Sequence, residues 1–214
     1  MMESTTADPG TTLFFAYGSH MLTVRNELDN IRAEFVSIGR LDNYRLDFIR
    51  YSKFWGGPQA TVVATANAQV WGVIWRVNRD DIEIIDKNTQ VHFKRYYIKY
   101  TDVNTPHMGK FVCRLYIQKI NPLPRGDNDD IPVERWPSRS YKKVMILGAI
   151  EHHLPYYYIR NLKKLKHNGE FGCYRMAKLL KLYTTRDACT CKPYDPRRPR
   201  ILNMKKLRAK KNVK

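Results

Sequence analysis

The residues best placed for chemistry in this 214-residue chain are Gly18 and Ser19, which directly follow a β-prone run over residues 13–17. Glycine reaches backbone conformations that other residues avoid, and a serine can cap the segment that follows it. A strand that ends in such a turn directs successive backbone N–H groups toward one point, which suits a small anion such as a carboxylate. Since an ordinary turn has the same local pattern, other residues must support the anion site.

The rest of the sequence predicts the strands and helices that position this turn. Short runs rich in β-branched and aromatic residues predict further strands at 34–41, 44–50, 60–64, 69–75, 96–103 and 111–118. Asp42 and Asn43 favour a hairpin turn between the first two of these strands. Helices are predicted at 22–28, from a cap at Asn78 to an end between 86 and 90, and at 140–152, 155–165 and 169–183. Strands and helices in this order predict an α/β domain.

Charge divides the chain unevenly. Its formal charge is +18, and residues 160–214 hold 18 Lys and Arg against three acidic residues, whereas residues 1–159 hold 20 against 17. We therefore predict a flexible leader at 1–12, a folded domain at 13–183 and a disordered basic tail at 184–214. Such a tail is either solvated or an electrostatic anchor for RNA, DNA, an acidic protein or an anionic membrane surface. Binding through an anchor would fall steeply with salt.

Composition excludes several classes of protein. The sequence contains no run of about 18 apolar residues, so it predicts no membrane span. The polar N-terminus lacks the basic start and apolar centre of a signal peptide. The four cysteines are too few for a disulfide framework, so we expect a reducing, cytoplasmic location. Cys189 and Cys191 are too close together for a usual zinc pair, and no Cys/His pair has metal-ligand spacing. The sequence predicts no metal site.

Four stretches in the same order carry a family resemblance. They read FFAYGS at 14–19, LDNYRLDF at 41–48, VWGVIW at 70–75, and PSRSY at 137–141 followed by Gly148-Ala149 and Leu154-Pro155. Over about residues 13–165 the chain resembles the γ-glutamylcyclotransferase family both in these sequence motifs and in the spacing between them. The resemblance implies a compact α/β fold around a mixed, partly closed β-barrel with flanking helices. It also implies a homodimer and a reaction without a cofactor.

The family reaction converts a γ-glutamyl amino acid or γ-glutamyl amine into 5-oxoproline and a free amine. Because the α-amine of the substrate attacks its own γ-carbonyl, the protein must hold a folded conformer, remove a proton and stabilise an oxyanion. The resemblance implies a cradle for the glutamyl group from one continuous stretch, with a tyrosine hydroxyl reaching in from a later helix. These expected substrate-binding residues are Phe14, Phe15, Ala16, Tyr17, Gly18, Ser19 and Tyr141.

Two positions depart from the family pattern. The family's proton acceptor is a glutamate just past the helix that follows VWGVIW, and an ungapped count places Thr89 there. A threonine hydroxyl is no general base near neutral pH, and loss of a positioned base costs about 10² to 10⁴ in rate. His20 stands where asparagine is common in the family. It is bulkier and can carry charge.

Other groups near Thr89 in sequence could replace the glutamate if the helix end shifts. Asp86, Glu83 and His92 are the candidates, and His92 has the most suitable ordinary pKa. A slip of one residue offers only Asn88 or Gln90, neither of which is a base. Glu134 and Glu151 are too distant in sequence for a local argument.

Two functions therefore remain open at this stage. One is a weakly active γ-glutamylcyclotransferase, which the glycine turn and Tyr141 favour. The other is a catalytically silent relative that binds a γ-glutamyl ligand or an acidic partner, which Thr89 and the basic tail favour.

Overall fold

The structure is a computed structural model that describes residues 10–89, 91–120, 122 and 130–182. The predicted basic tail and the first nine residues of the predicted leader lie outside this part of the chain. The strands are β1 Thr11–Ala16, β2 Ala33–Ser52, β3 Gly57–Asn78, β4 Tyr96–Asn104 and β5 Lys110–Gln118. The helices are α1 Thr23–Leu28, α2 Arg79–Thr89, α3 Arg139–Glu151, α4 Tyr156–Lys164 and α5 Tyr174–Leu179, with 3₁₀ turns at Ser19–Met21, Val91–Phe93 and Val133–Arg135.

The five strands form a closed barrel in the order β1-β3-β2-β4-β5. Neighbouring strands are antiparallel except β1 and β5, which pair in parallel through Phe14 and Arg114 and so complete the barrel. The predicted mixed barrel with flanking helices is confirmed, and its closure is complete where the family resemblance implied a partly closed one. Closure removes the exposed strand edges that an open sheet would present.

The predicted hairpin at Asp42 and Asn43 is wrong, because β2 runs unbroken through both residues. The pairing of β2 with β3 shifts by three residues on β3 between Asp42 and Tyr44, which pair with Gln69 and Ala64, and Asn43 has a φ of 61°. This irregularity, like a turn, places one residue in the left-handed backbone conformation, which asparagine tolerates well. On β3, Asn67 also has a positive φ, and its N–H donates to Asn43 Oδ1 at 3.2 Å. Both long strands are therefore continuous elements with an irregularity at the same level.

The strand around VWGVIW is buried on both faces. Residues 70 to 75 of β3 are all buried, because the barrel interior covers one face and flanking elements cover the other. Trp75 contacts the ring of His152 edge-on at 5.0 Å and donates its indole N–H to the carbonyl of His20 at 2.9 Å. This strand thereby fixes the backbone just beyond the glycine turn.

Helix α3 carries Tyr141 in its first turn and is held close to that same backbone. Ser138 caps the helix by accepting the Tyr141 N–H at 3.0 Å. Gly148, farther along α3, lets the helix approach the chain closely, since a Cβ there would lie 2.6 Å from the nitrogen of Leu22. The helix cap and this contact together set the position of Tyr141. The third predicted C-terminal helix is shorter than expected, six residues in α5.

Candidate active site

A cavity of about 440 Å³ opens where β1 ends, and all the predicted site residues line it. Residues distant in sequence meet there: the glycine turn after β1, the last turn of α2 and the first turn of α3. The predicted residues on its wall are Phe14, Phe15, Ala16, Tyr17, Gly18, Ser19, Thr89 and Tyr141. Its volume is in the usual range for a small-molecule site.

Tyr141 lies against the glycine turn across the cavity. Its hydroxyl oxygen accepts the N–H of Ala60 at 3.2 Å, and a Cβ added to Gly18 would lie 2.9 Å from that oxygen. The ring is also held edge-on by Trp55, with the centroids 5.0 Å apart. Burial raises the pKa of Tyr141, although hydrogen bonds with the backbone of Ala60 and with Ser19 act in the opposite direction. Tyr141 is therefore a neutral phenol at pH 7, and only a residue without a side chain fits beside it.

The aromatic residues of β1 and its end contribute mainly to the core. Phe15 is fully buried, and the hydroxyl of Tyr17 donates to the backbone carbonyl of Tyr116. Burial raises the pKa of Tyr17 well above its ordinary value, so this phenol is also neutral. Since the Tyr17 hydroxyl already has a partner, the backbone is what this stretch can offer to a ligand.

Thr89 is the last residue of α2, and its hydroxyl turns back onto its own helix. The Oγ1 atom lies 2.8 Å from the carbonyl oxygen of Ile85 and 3.2 Å from that of Asp86. A hydroxyl has one proton, so these two carbonyls share it. Thr89 reaches the cavity wall, but it supplies no group that takes a proton from an ammonium ion at neutral pH.

The candidate bases near Thr89 in sequence do not line the cavity. Asp86 accepts hydrogen bonds from Arg114 at 2.5 Å and from the Tyr116 hydroxyl at 2.6 Å, which tie α2 to the barrel. The carboxylate of Glu83 is exposed and lies 3.7 Å from Lys87, and His92 is exposed in the following 3₁₀ turn. Glu134 and Glu151 also lie off the cavity wall. Asn88 does line it but is no base, and Gln90 lies outside the described residues.

An ion pair between a residue of α1 and the residue directly after this helix contributes two further side chains that the sequence reasoning missed. Arg25 and Asp29 both line the cavity, 2.5 Å apart, with 9% and 7% of their side chains exposed. Their i,i+4 spacing in the helix after the glycine turn was the available signal. Further cations on the same wall are Arg50, Lys53 and Arg95. On the described residues, the lining carries more positive than negative charge, which favours an anionic ligand.

His20 completes the same wall, directly after the glycine turn. Its Nδ1 lies 2.8 Å from Asn26 Oδ1, and the amide nitrogen of Asn26 donates to the backbone carbonyl of His20 at 3.2 Å. Burial lowers the pKa of His20 from 6.5 to about 4, and the charge of Arg25 acts in the same direction. Asp29 and Asn26 partly oppose this shift. The imidazole is therefore neutral at pH 7.

The fold and site define the chain as a closed mixed barrel with a polar, cation-rich cavity at the end of its first strand. Residues 69–162 match the AIG2-like family. The chain is 35% identical over 166 residues to gamma-glutamylcyclotransferase of Mus musculus, covering 76% of this chain and 82% of that protein. The corresponding protein of Homo sapiens is 32% identical over 174 residues, which cover 79% of this chain and 87% of the human protein.

A solved structure of a gamma-glutamyl cyclotransferase superposes with a TM-score of 0.71 at 30% identity, covering 81% of this chain and 99% of that one. The chain belongs to the γ-glutamylcyclotransferase family. Among the described residues, no helix is both long and apolar enough to span a membrane, and no group of three or more His, Cys, Asp or Glu side chains could hold a metal ion.

Proposed function

We propose that this protein binds γ-glutamyl amino acids or amines in the cavity and converts them slowly into 5-oxoproline and a free amine. The observation that carries the proposal is the contact between Gly18 and the Tyr141 hydroxyl in a cavity of suitable size. The family relatives named gamma-glutamylcyclotransferase support the same substrate class.

Charge and backbone geometry favour a glutamyl ligand. The turn at Gly18 and Ser19 offers backbone N–H groups for a carboxylate or a developing oxyanion. Arg25 adds a buried positive charge on the same wall. A γ-glutamyl compound has a carboxylate at its reacting end, so these groups can hold it with the α-amine folded toward the γ-carbonyl. Such positioning lowers the barrier to ring closure by several kcal/mol.

The low rate follows from Thr89. Ring closure requires that the α-ammonium group lose a proton before its nitrogen attacks, and the Thr89 hydroxyl is bonded to Ile85 and Asp86. Without a carboxylate at this position we expect turnover about 10² to 10⁴ times slower than in a variant that has one.

The second candidate is a relative that binds the ligand without turning it over. The same Thr89 contacts favour it, because they leave the α2 wall of the cavity without a base. The two functions share a ligand and differ only in whether product forms.

One experiment separates them: release of 5-oxoproline from γ-glutamyl-alanine by the wild type, Thr89→Glu and Thr89→Gln. We expect slow turnover by the wild type, a rise of about 10²-fold or more for Thr89→Glu, and no rise for Thr89→Gln, which matches the length of glutamate without its basicity. Product from Thr89→Glu alone supports the binding-only function for the natural chain. Absence of both product and calorimetric binding in all three proteins would overturn the proposal.

Assembly and location are further parts of the proposal. We expect a homodimer in the cytoplasm, as the family resemblance implies, and sedimentation measurements test the dimer. The tail is tested by salt titrations of binding to RNA, an acidic protein or anionic vesicles, using the full chain and a chain lacking residues 184–214. Equal binding by both chains would remove the tail as an anchor.

A further inference from the structure

His20 lies in the site at a position where asparagine is common in the family. The residue follows the glycine turn directly, lines the cavity and is partly exposed there. Its backbone is fixed, since the His20 carbonyl accepts hydrogen bonds from Trp75 Nε1 at 2.9 Å and from Asn26 Nδ2 at 3.2 Å. The ring meets Phe14 edge-on with centroids 6.1 Å apart. These contacts fix the position of His20 beside the residues expected to hold the glutamyl group.

The hydrogen bonds of Asn26 determine which ring nitrogen holds the proton. Because the Asn26 amide nitrogen donates to the His20 carbonyl, the Asn26 oxygen is the atom that faces Nδ1, at 2.8 Å. That oxygen can only accept, so Nδ1 carries the hydrogen. In the neutral ring Nε2 then has a free lone pair. The imidazole is a fixed tautomer able to take one proton.

The charged groups around the ring come from α1 and from the residue directly after it. Arg25 disfavours the imidazolium form and Asp29 favours it, and the two side chains are paired 2.5 Å apart. Burial and the charge of Arg25 keep His20 unprotonated at pH 7. A bound γ-glutamyl carboxylate adds negative charge, which makes the ring a better proton acceptor when the substrate is present.

Other groups on the described part of the cavity wall are less suited to accept a proton. The phenols of Tyr17, Tyr96 and Tyr141 are buried and their pKa values are raised. The guanidinium and ammonium groups are cations, and the Asp29 carboxylate is held against Arg25. His20 is the neutral nitrogen base among them.

We propose that Nε2 of His20 accepts the proton of the substrate α-ammonium group in place of the family's glutamate. This inference rests on the proposed function and names a catalytic residue for it.

The step balances in protons and electrons. Nε2 takes one proton, and the freed lone pair of the α-nitrogen forms a bond to the γ-carbon while the carbonyl π electrons move to oxygen. When the oxyanion collapses, the bond from the γ-carbon to the leaving nitrogen breaks. That nitrogen receives the proton held on Nε2 and also the second proton lost by the ring nitrogen of 5-oxoproline, so the product amine departs as an ammonium ion. Imidazole returns to its starting tautomer.

The test measures 5-oxoproline formation and γ-glutamyl-alanine affinity for the wild type, His20→Asn and His20→Ala, with His92→Ala as a control outside the cavity. We expect His20→Asn to lower turnover by about 10²-fold with affinity changed less than about threefold. Free imidazole should restore part of the His20→Ala rate in proportion to its concentration, which a merely structural role would not produce. His92→Ala should match the wild type.

A Thr89→Glu background distinguishes failure of this inference from failure of the proposed function. There the glutamate takes the proton, so adding His20→Asn should lower turnover by less than about fivefold. If Thr89→Glu forms product and the wild type either forms none or is unaffected by His20→Asn, the role of His20 is overturned while the proposed function stands. If Thr89→Glu also forms no product, the proposed function itself fails and the inference fails with it.

Discussion

The two ends of the cavity differ in what their side chains bind. At the β1 end, the Gly18 turn meets Tyr141 from a helix more than a hundred residues later, and the Tyr141 hydroxyl bonds to the backbone of β3. At the α2 end, the Thr89 hydroxyl bonds only to carbonyls of its own helix. The β1 end brings distant parts of the chain together around one hydroxyl, whereas the Thr89 side chain at the α2 end makes its hydrogen bonds within α2. A change at Thr89 therefore leaves the contacts of the β1 end in place.

The largest expected effect comes from loosening the α2 end. Asp86→Asn removes the negative charge that accepts from Arg114 at 2.5 Å and 2.7 Å, which leaves a guanidinium that is 10% exposed without its counter-charge. We expect a loss of about 3 kcal/mol in the free energy of unfolding, measured in urea. Glu83→Gln on the exposed face of α2 is the control and should change it by less than about 0.5 kcal/mol. A loss below about 1 kcal/mol for Asp86→Asn would show that this tie does not hold α2.

The next effect comes from crowding the β1 end. Gly18→Ala places a methyl group 2.9 Å from the Tyr141 hydroxyl oxygen, so the ring must shift and the turn must open. We expect the dissociation constant for γ-glutamyl-alanine to rise about 30-fold, or about 2 kcal/mol, by calorimetry. The double variant with Tyr141→Phe lacks the crowded oxygen and should bind better than Gly18→Ala alone. Weaker binding by the double variant would mean that the hydroxyl itself holds the ligand.

A pH titration sharpens the comparison at His20, which lies at the β1 end. Its pKa is about 4 in the folded protein and about 6.5 when unfolded. Between these values the unfolded chain binds the extra proton, so the stability that the neutral His20 contributes is complete above about pH 6.5, falls as the pH drops from about 6.5 to about 4, and is gone below that. Relative to His20→Asn, the wild type should lose about 1 to 2 kcal/mol between pH 7 and pH 5. Parallel stability curves for the two proteins would contradict this.

The smallest effect is expected at Thr89 itself. Thr89→Val keeps the side-chain shape and removes a hydroxyl that bonds only to carbonyls of its own helix. We expect a change below about 0.5 kcal/mol in stability and turnover within about twofold of the wild type, measured by 5-oxoproline release. A large loss of turnover would mean that the hydroxyl takes part in the reaction.

Much of the fold follows from sequence, because its signals are local. The strands at 96–103 and 111–118 and the helix at 140–152 each depend on neighbouring residues and were predicted closely. The bulge at Asn43 was not, since a positive φ suits a hairpin turn and a bulge equally. The choice depends on β3, which pairs with β2 along nearly its whole length.

The candidate site likewise has one part that local sequence motifs predict and one part that depends on how the chain packs. FFAYGS and Tyr141 belong to motifs with recognisable spacing, and both line the cavity. The cluster of His20, Arg25 and Asp29 was not predicted, because its members meet through the short helix α1 and its packing, not through a motif. The bases proposed near Thr89 failed for a related reason. Proximity in sequence put Asp86 three residues from Thr89, but the helix turns its side chain toward Arg114.

Arg114 joins two parts of the molecule at one residue. Its backbone pairs with Phe14 where β1 and β5 close the barrel, and its side chain holds Asp86 of α2. A substitution there would disturb the seam of the barrel and the helix together, so this position has little freedom to vary. Thr89 lies one turn beyond Asp86 and takes no part in the seam. A lineage can therefore exchange the residue at 89 while keeping the same barrel.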